Sequence, residues 1–181
     1  MWRTNDLTRL LGCDVPIVQA PLGGGPGTPE LTAAVSAAGG FGIVGGGYLD
    51  PGDLADVVAR TRSLTGRPFG VNLFLAPPPR RTAAEAARAA LARVAAELGL
   101  DPSVPDVPRA LPDPDEQLEV VIASDARLVT FAFGAPTRAV VAALHDAGRL
   151  VGGTAQSAAD ARELAGLGVD VVVAQGAEAG G

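Results

Sequence analysis

The stretch Val169-Asp170-Val171-Val172-Val173, followed by Ala174-Gln175-Gly176-Ala177-Glu178-Ala179-Gly180-Gly181, decides the fold of this chain. A nearly continuous run of β-branched residues is typical of a parallel strand that is buried on both faces. The polar amide and the glycine-rich turn that follow mark the carboxyl end of such a strand, where parallel α/β folds carry their chemistry. The segment predicts a parallel α/β fold, and we expect the chain to be interrupted just after this strand end.

The same alternation of strand and helix patterns runs through the rest of the chain. Helical spacing between the strands predicts five helices, and short apolar runs predict six strands, at residues 16–20, 41–44, 69–74, 128–132, 150–154 and 169–174. Residues 76–127 form a longer, partly proline-rich interval, which predicts an excursion from the repeat. Within it, Thr82 and Glu85 have the spacing of a capping box for an alanine-rich helix that reaches about Leu98.

Two architectures accommodate this order of elements. A doubly wound open sheet usually carries a G-x-G-x-x-G fingerprint after its first strand, and the glycine-rich segment 21–27 lacks that spacing. The alternative is an α/β TIM (β/α)8 barrel, which typically needs about 250 residues. The pattern favours a C-terminally incomplete barrel at residues 1–181, with about six of eight βα units present, and leaves the open sheet as the second interpretation.

Composition excludes several classes of function. The 181 residues carry a formal net charge of −6, which argues against a nucleic-acid or anionic-membrane surface. All basic residues are arginine, so Schiff-base and phosphate-loop lysines are absent from this sequence. One histidine and one cysteine are too few for a structural zinc site, and no metal is predicted. The lone Cys13 and the lack of a long apolar run favour a cytoplasmic protein without a membrane span.

The strand ends that should meet at one edge are polar but uncharged. They carry Gln19, Gly45, Asn72, Thr130, Thr154 and Gln175. Neutral amides suit a flat heteroaromatic ligand better than a metal ion or a pair of working carboxylates, which need charge. For Asn72 and Gln175, the structural alternative is an amide that is satisfied by backbone groups at a strand end.

Other candidate residues are weaker. Gly180 and Gly181 either form a turn or let the backbone approach a ligand closely. Glu178 is either a general acid or a solvated loop carboxylate, and the second interpretation is favoured. His145 lies far along a helix from the strand end and is expected to face solvent, so the sequence offers no convincing base.

Four ordered motifs resemble the nitronate monooxygenase family, once called 2-nitropropane dioxygenase. They are PIVQAPLGGG at 16–25, TPELTAAVSAAGGFG at 28–42, RPFGVNLF at 67–74 and VAQGAEAGG at 173–181. The resemblance implies a (β/α)8 barrel that binds FMN noncovalently. It also implies an oxidoreductase that converts alkyl nitronates and dioxygen into a carbonyl compound and nitrite, with these small molecules as its partners.

The resemblance also implies roles for individual residues. Asn72 and Gln175 would hydrogen-bond the flavin, Gly180 and Gly181 would pass close to it, and the backbone at Pro21 and Leu22 would lie against its ring. Leu22 stands where family members commonly have methionine, an apolar exchange of similar volume. The family's catalytic histidine is expected directly after Gly181, so no catalytic residue is predicted within the chain.

Two alternatives stay open. A flavin-dependent enoyl-ACP reductase shares the barrel and much of the Ala-Gly-Gly pattern, although the Gln19-Ala20-Pro21 segment is more like the monooxygenase. The chain is alternatively a truncated, non-catalytic product that acts through assembly with a partner. In either event we expect the 181-residue polypeptide alone to have no significant activity.

Overall fold

The computed structural model describes residues 2–75, 81–101 and 111–179, and the side chains of 81–84 are outside the description. The chain divides into a larger unit, residues 1–76 and 112–181, and a smaller unit, residues 77–111. The predicted excursion at 76–127 and the single partial-barrel domain stay predictions.

The elements alternate as the sequence predicts. Their bounds are α1 Asp6–Leu11, α2 Pro29–Ala37, β1 Gly42–Gly45, α3 Pro51–Leu64, β2 Phe69–Phe74, α4 Arg81–Glu97, α5 Pro114–Ala123, β3 Leu128–Ala132, α6 Arg138–Asp146, β4 Leu150–Ala155, α7 Ala158–Leu167, β5 Val171–Ala174 and a short 3-10 helix at Ala177–Ala179. In the smaller unit, α4 ends just before Gly99, whose φ of 68° is left-handed. The predicted capping box at Thr82 falls on side chains outside the description.

The strands of the larger unit form one parallel sheet in the order β1-β2-β3-β4-β5. One face of the sheet packs on α3, α5 and α6 through a core that includes Val71, Phe131 and Leu144. The other face meets α1 through Leu11, Phe41 and Leu128. A sheet that adds strands in sequence order, without the reversal of a doubly wound fold, has the topology of a (β/α)8 barrel. The predicted fold class is confirmed, and the described strands form part of such a barrel.

The predicted first strand at 16–20 is shorter than expected. The structure has an isolated parallel bridge between Val18 and Phe41, with Gln19 N–H donating to Phe41 O at 2.9 Å. In a parallel ladder, the next rung would need a donor from Pro21 to Ile43 O, and proline has no N–H. The Gln19 carboxamide supplies this rung instead, because its Nε2 donates to Ile43 O at 3.3 Å and its Oε1 accepts from Ile43 N at 3.3 Å.

β5 is less buried than its apolar sequence predicts. Val172 and Val173 are 38% and 41% exposed, and among the described residues β5 has a strand neighbour only in β4. An edge strand leaves one row of backbone groups and part of its side chains uncovered. The expected burial on both faces is therefore not found in the described part of the chain.

Candidate functional site

The carboxyl edge of the sheet is built around a buried amide on β2. Asn72 is opposite Gly45 on β1 and Thr130 on β3, and it is 3% exposed. Its Nδ2 donates to Thr130 O at 3.2 Å and to Thr130 Oγ1 at 3.0 Å. Because a carbonyl can only accept, these bonds fix which end of the carboxamide is the nitrogen. Oδ1 receives no hydrogen bond from the residues that the structure describes, so it remains an acceptor.

The segment after Gln19 crosses the end of β1. A Cβ placed on Gly45 would lie 2.7 Å from Leu22 O, so the close approach of the two backbones requires glycine at this position. Pro21 is half-buried, whereas the Leu22 side chain is 39% exposed. The structure thus brings Pro21 and Leu22 to the edge that carries Asn72.

Gln175 extends the ladder beyond the end of β5. Its backbone N–H donates to Ala155 O at 2.9 Å, and its half-buried side chain donates from Nε2 to Ala179 O at 3.3 Å. Gln175 lies at the same edge as Asn72, with β3 and β4 between their strands. Gly180 and Gly181, the other predicted flavin-contacting residues, lie outside the described residues.

A buried glutamine that the sequence reasoning missed holds the turn after β1. Gln117 of α5 is 1% exposed, and its Nε2 donates to Gly46 O at 2.9 Å and to Leu49 O at 2.7 Å. Gly46 N–H in turn donates to Asn72 O at 2.9 Å. The sequence pattern that could have identified Gln117 is its position one helical turn before the apolar Val121, which places both side chains on the core-facing side of α5.

Three aromatic rings at this edge were also missed. The ring centroids of Tyr48 and Phe74 lie 5.0 Å apart, those of Phe74 and Phe133 lie 4.9 Å apart, and both pairs are edge-to-face. Tyr48 follows β1, Phe74 ends β2 and Phe133 follows β3. We call these three residues the aromatic row. The position of each ring directly at or after a strand end was the signal that could have identified them.

Two ionisable residues that the sequence singled out, His145 and Cys13, lie at the other end of the strands. His145 Nε2 is 2.9 Å from Asp170 Oδ2, which also accepts from Val151 N at the start of β4. Burial raises the pKa of the Cys13 thiol. The hydrogen bond from the Arg67 guanidinium lowers the pKa of Asp14, with 2.5 Å between Arg67 Nη2 and Asp14 Oδ2. None of these groups contacts the carboxyl edge.

Neither a metal centre nor a membrane span is found in the described part of the chain. No group of three or more His, Cys, Asp or Glu side chains there is arranged to hold a metal ion. None of the helices described has the length and hydropathy to cross a bilayer. The described edge carries carboxamides, a threonine, aromatic rings and glycine backbone, and the exposed carboxylate of Glu178 lies just beyond β5 in the 3-10 helix.

The chain as a whole is similar to proteins of one known family. The family model described as nitronate monooxygenase matches residues 5–181. A probable nitronate monooxygenase from Staphylococcus aureus is 34% identical over 188 residues, which cover 100% of this chain and 51% of that protein. The chain spans about half the length of the curated relatives it matches.

Solved structures of related enzymes have a similar fold. The structure of nitroalkane oxidase from Streptomyces ansochromogenes matches with a TM-score of 0.83 and 41% identity, over 95% of this chain and 48% of that one. FabK from Thermotoga maritima matches with a TM-score of 0.69 and 30% identity, over 94% of this chain and 43% of that one. The family match across the described sheet, together with these similarities, shows that the chain belongs to the nitronate monooxygenase family.

Proposed function

We propose that this protein is an FMN-dependent nitronate monooxygenase, which oxidises alkyl nitronates with dioxygen to a carbonyl compound and nitrite. The observation that carries the proposal is the Asn72 carboxamide, held by Thr130 with its oxygen left as an acceptor at the carboxyl edge. Asn72 Oδ1 is an uncharged acceptor in a fixed position, which suits an N–H group at the polar edge of a flavin ring. The backbone at Pro21 and Leu22 lies at the same edge and offers an apolar surface to the ring. The family membership supports the same cofactor and reaction.

The residues at the edge fit a flavin. Asn72 Oδ1 would accept from a ring N–H, while Gln175 would contribute a second carboxamide and the backbone at Pro21 and Leu22 would lie against the ring. The absence of a side chain at Gly45 lets the backbone at Leu22 pack closely against the end of β1. Gly180 and Gly181 remain proposed flavin neighbours. When bound, FMN would supply the redox chemistry by which electrons pass from the substrate to dioxygen.

No described residue at the edge is proposed as the base. His145, the single histidine of the sequence, pairs with Asp170 near the amino end of β4. The residues at the carboxyl edge hold and orient the cofactor, and the proposed catalytic histidine is the one that the family pattern places after Gly181. Because the chain spans about half of its relatives, we propose that the isolated 181-residue polypeptide has no significant nitronate oxidation.

The experiment uses the protein expressed from its complete reading frame and reconstituted with FMN. Nitrite release and oxygen consumption are measured with ethyl nitronate. We expect Asn72→Ala to weaken FMN binding by about 10- to 100-fold, because the variant loses a hydrogen-bonding group at a buried position. Glu163→Ala, at an exposed position in the middle of α7, is the control and should bind FMN like the unmodified protein.

Two results would contradict the proposal. FMN-loaded protein that releases no nitrite from any alkyl nitronate is not a nitronate monooxygenase. Rapid NADH oxidation with an enoyl thioester under those conditions identifies the reductase alternative instead. Equal FMN affinity in Asn72→Ala and Glu163→Ala would remove Asn72 from the cofactor site without affecting the assigned reaction.

A further inference from the structure

The aromatic row is an exposed apolar surface that core packing does not explain. Tyr48 is 51% exposed and Phe133 is 62% exposed, while Phe74 between them is half-buried. Edge-to-face contacts join the three rings into one surface. Rings of this size are normally buried in a core or used at an interface or ligand site.

The row lies beside Asn72. Phe74 is two residues after Asn72 on β2, and residues two apart on a strand point to the same face. The turn that carries Tyr48 is held to the same strand by the bond from Gly46 N–H to Asn72 O, at 2.9 Å. The row therefore borders the proposed flavin position.

Phe133 adopts a backbone conformation that is unusual for its residue type. Its φ of 65° makes it the one non-glycine residue with a positive φ in the described part of the chain. Phe131 is buried in the helix-facing core, and regular alternation would send Phe133 to that same face. The left-handed backbone instead lets the Phe133 ring meet Phe74. Strained backbone held in place by its surroundings is concentrated at functional sites.

Glycines make room for the rings. A Cβ on Gly47 would overlap the Phe74 ring, and a Cβ on Gly23 would lie 2.9 Å from two carbons of the Tyr48 ring. The glycine runs at 23–25 and 45–47 therefore serve close packing around the aromatic row, at least at these two positions. This gives part of the glycine-rich sequence a role that differs from phosphate binding.

From this geometry we propose that the aromatic row contacts the chain of the substrate. The enzyme would then prefer nitronates with apolar alkyl chains over nitronates that carry a second negative charge, such as propionate 3-nitronate. The inference rests on the proposed function. An alkyl chain gains from covering exposed rings, whereas a carboxylate would lose hydration against ring faces that carry partial negative charge.

The test compares nitronates from nitroethane to nitrohexane with the FMN-loaded protein from the complete reading frame. Full burial of a methylene is expected to raise kcat/KM about fourfold. A chain that the row covers on one side should gain about half of that free energy, which corresponds to about twofold in kcat/KM per methylene. That amounts to about 16-fold across the series. Phe133→Ala should reduce this ratio to below about fivefold, because the loss in kcat/KM is larger for the longer nitronates. Trp2→Ala, which removes another exposed aromatic ring, is the matched control.

A second variant tests charge selection, and a binding measurement tests the contact without turnover. Phe133→Arg should raise kcat/KM for propionate 3-nitronate relative to hexyl nitronate. Dissociation constants of the neutral nitroalkanes, measured anaerobically by calorimetry, should follow the same chain-length order and lose it in Phe133→Ala. Because Phe133 is largely exposed, both variants are expected to fold, and thermal melting checks this.

The outcomes separate the two proposals. Absence of turnover with every nitronate contradicts the proposed function and, with it, this inference. Turnover that is independent of chain length, or whose dependence survives in Phe133→Ala, overturns the role of the aromatic row alone. A higher kcat/KM for propionate 3-nitronate than for hexyl nitronate in the unmodified protein overturns the stated substrate class.

Discussion

Gln117→Leu should destabilise the protein strongly although it removes no charge and little volume. The Gln117 amide donates to Gly46 O at 2.9 Å and to Leu49 O at 2.7 Å from a side chain that is 1% exposed. Leucine fills a similar space but cannot donate, so both carbonyls lose a partner without the formation of a large cavity. The effect therefore measures the hydrogen bonds, with only a small contribution from packing.

The magnitude follows from what each carbonyl retains. Gly46 O keeps the bond from Leu49 N–H at 2.9 Å, so its loss is about 0.5–1 kcal/mol. Leu49 O loses a short bond in a partly buried position, which costs about 1–3 kcal/mol. The free energy of unfolding should fall by about 1.5–4 kcal/mol in total. Each 1 kcal/mol lowers Tm by about 2–4 °C in a protein of 150–250 residues, and by less in a longer one.

Urea denaturation and thermal melting of the protein from the complete reading frame measure the change. Gln156→Leu is the control, because Gln156 is exposed and should change stability by no more than about 0.5 kcal/mol. Hydrogen exchange gives a local readout, because Gly46 N–H bonds to Asn72 O and should exchange faster in Gln117→Leu. If Gln117→Leu and Gln156→Leu are equally stable, the interpretation of Gln117 as the anchor of the turn is wrong.

Four further substitutions test other parts of the structure. Gln19→Leu removes the side-chain acceptor of the Ile43 amide, whose hydrogen-exchange protection should fall about tenfold or more; unchanged protection would contradict the rung assigned to Gln19. Gly153→Ala places a Cβ 2.5 Å from a leucine carbon of α7 and should lower the free energy of unfolding by about 1–3 kcal/mol in denaturant titrations. Gly166→Ala, in open space within α7, should instead raise it by about 0.5–1 kcal/mol. Asp14→Asn should cause a small loss of stability at neutral pH, because the pKa of Asp14 is lowered in the folded state. The carboxylate's contribution disappears as pH falls through that lowered pKa, so the variant and the unmodified protein should converge in acid.

Local sequence patterns were sufficient for most of the architecture. β2 and β3 begin and end at the predicted residues, because their apolar runs are bounded by residues that favour turns. α7 begins after Ser157, whose hydroxyl accepts from Asp160 N, and ends at Gly168 with a φ of 91°. These features depend on neighbours a few positions away, which periodicity and capping residues report directly.

The first strand shows where such patterns fail. An apolar run at 16–20 has the composition of a strand, yet only the Val18 bridge forms. The missing N–H of Pro21 is visible in the sequence, but its replacement by the Gln19 carboxamide joins residues 24 positions apart. Pairing at that distance is determined by the packed sheet, and no local rule predicts it.

In the candidate site, too, some features can be predicted from the sequence and others depend on contacts between distant segments. The sequence placed Asn72 at a strand end, whereas the partner Thr130, 58 positions away, follows from the register of β2 and β3. The aromatic row was missed because its rings come from three separate strand ends. The left-handed backbone of Phe133 has no signal in its residue type, since phenylalanine rarely adopts it.

By itself, the sequence determined the kinds of elements, their order, the uncharged character of the strand ends and the family. Those properties depend only on residue types and on short spacings along the chain, so they are present before the chain folds. Only the tertiary structure decided the register of the strands, the orientation of the Asn72 amide, the anchoring of a turn by Gln117 and the assembly of the aromatic row. Each of these is a contact between distant segments, and its geometry exists only once the sheet and helices have packed together.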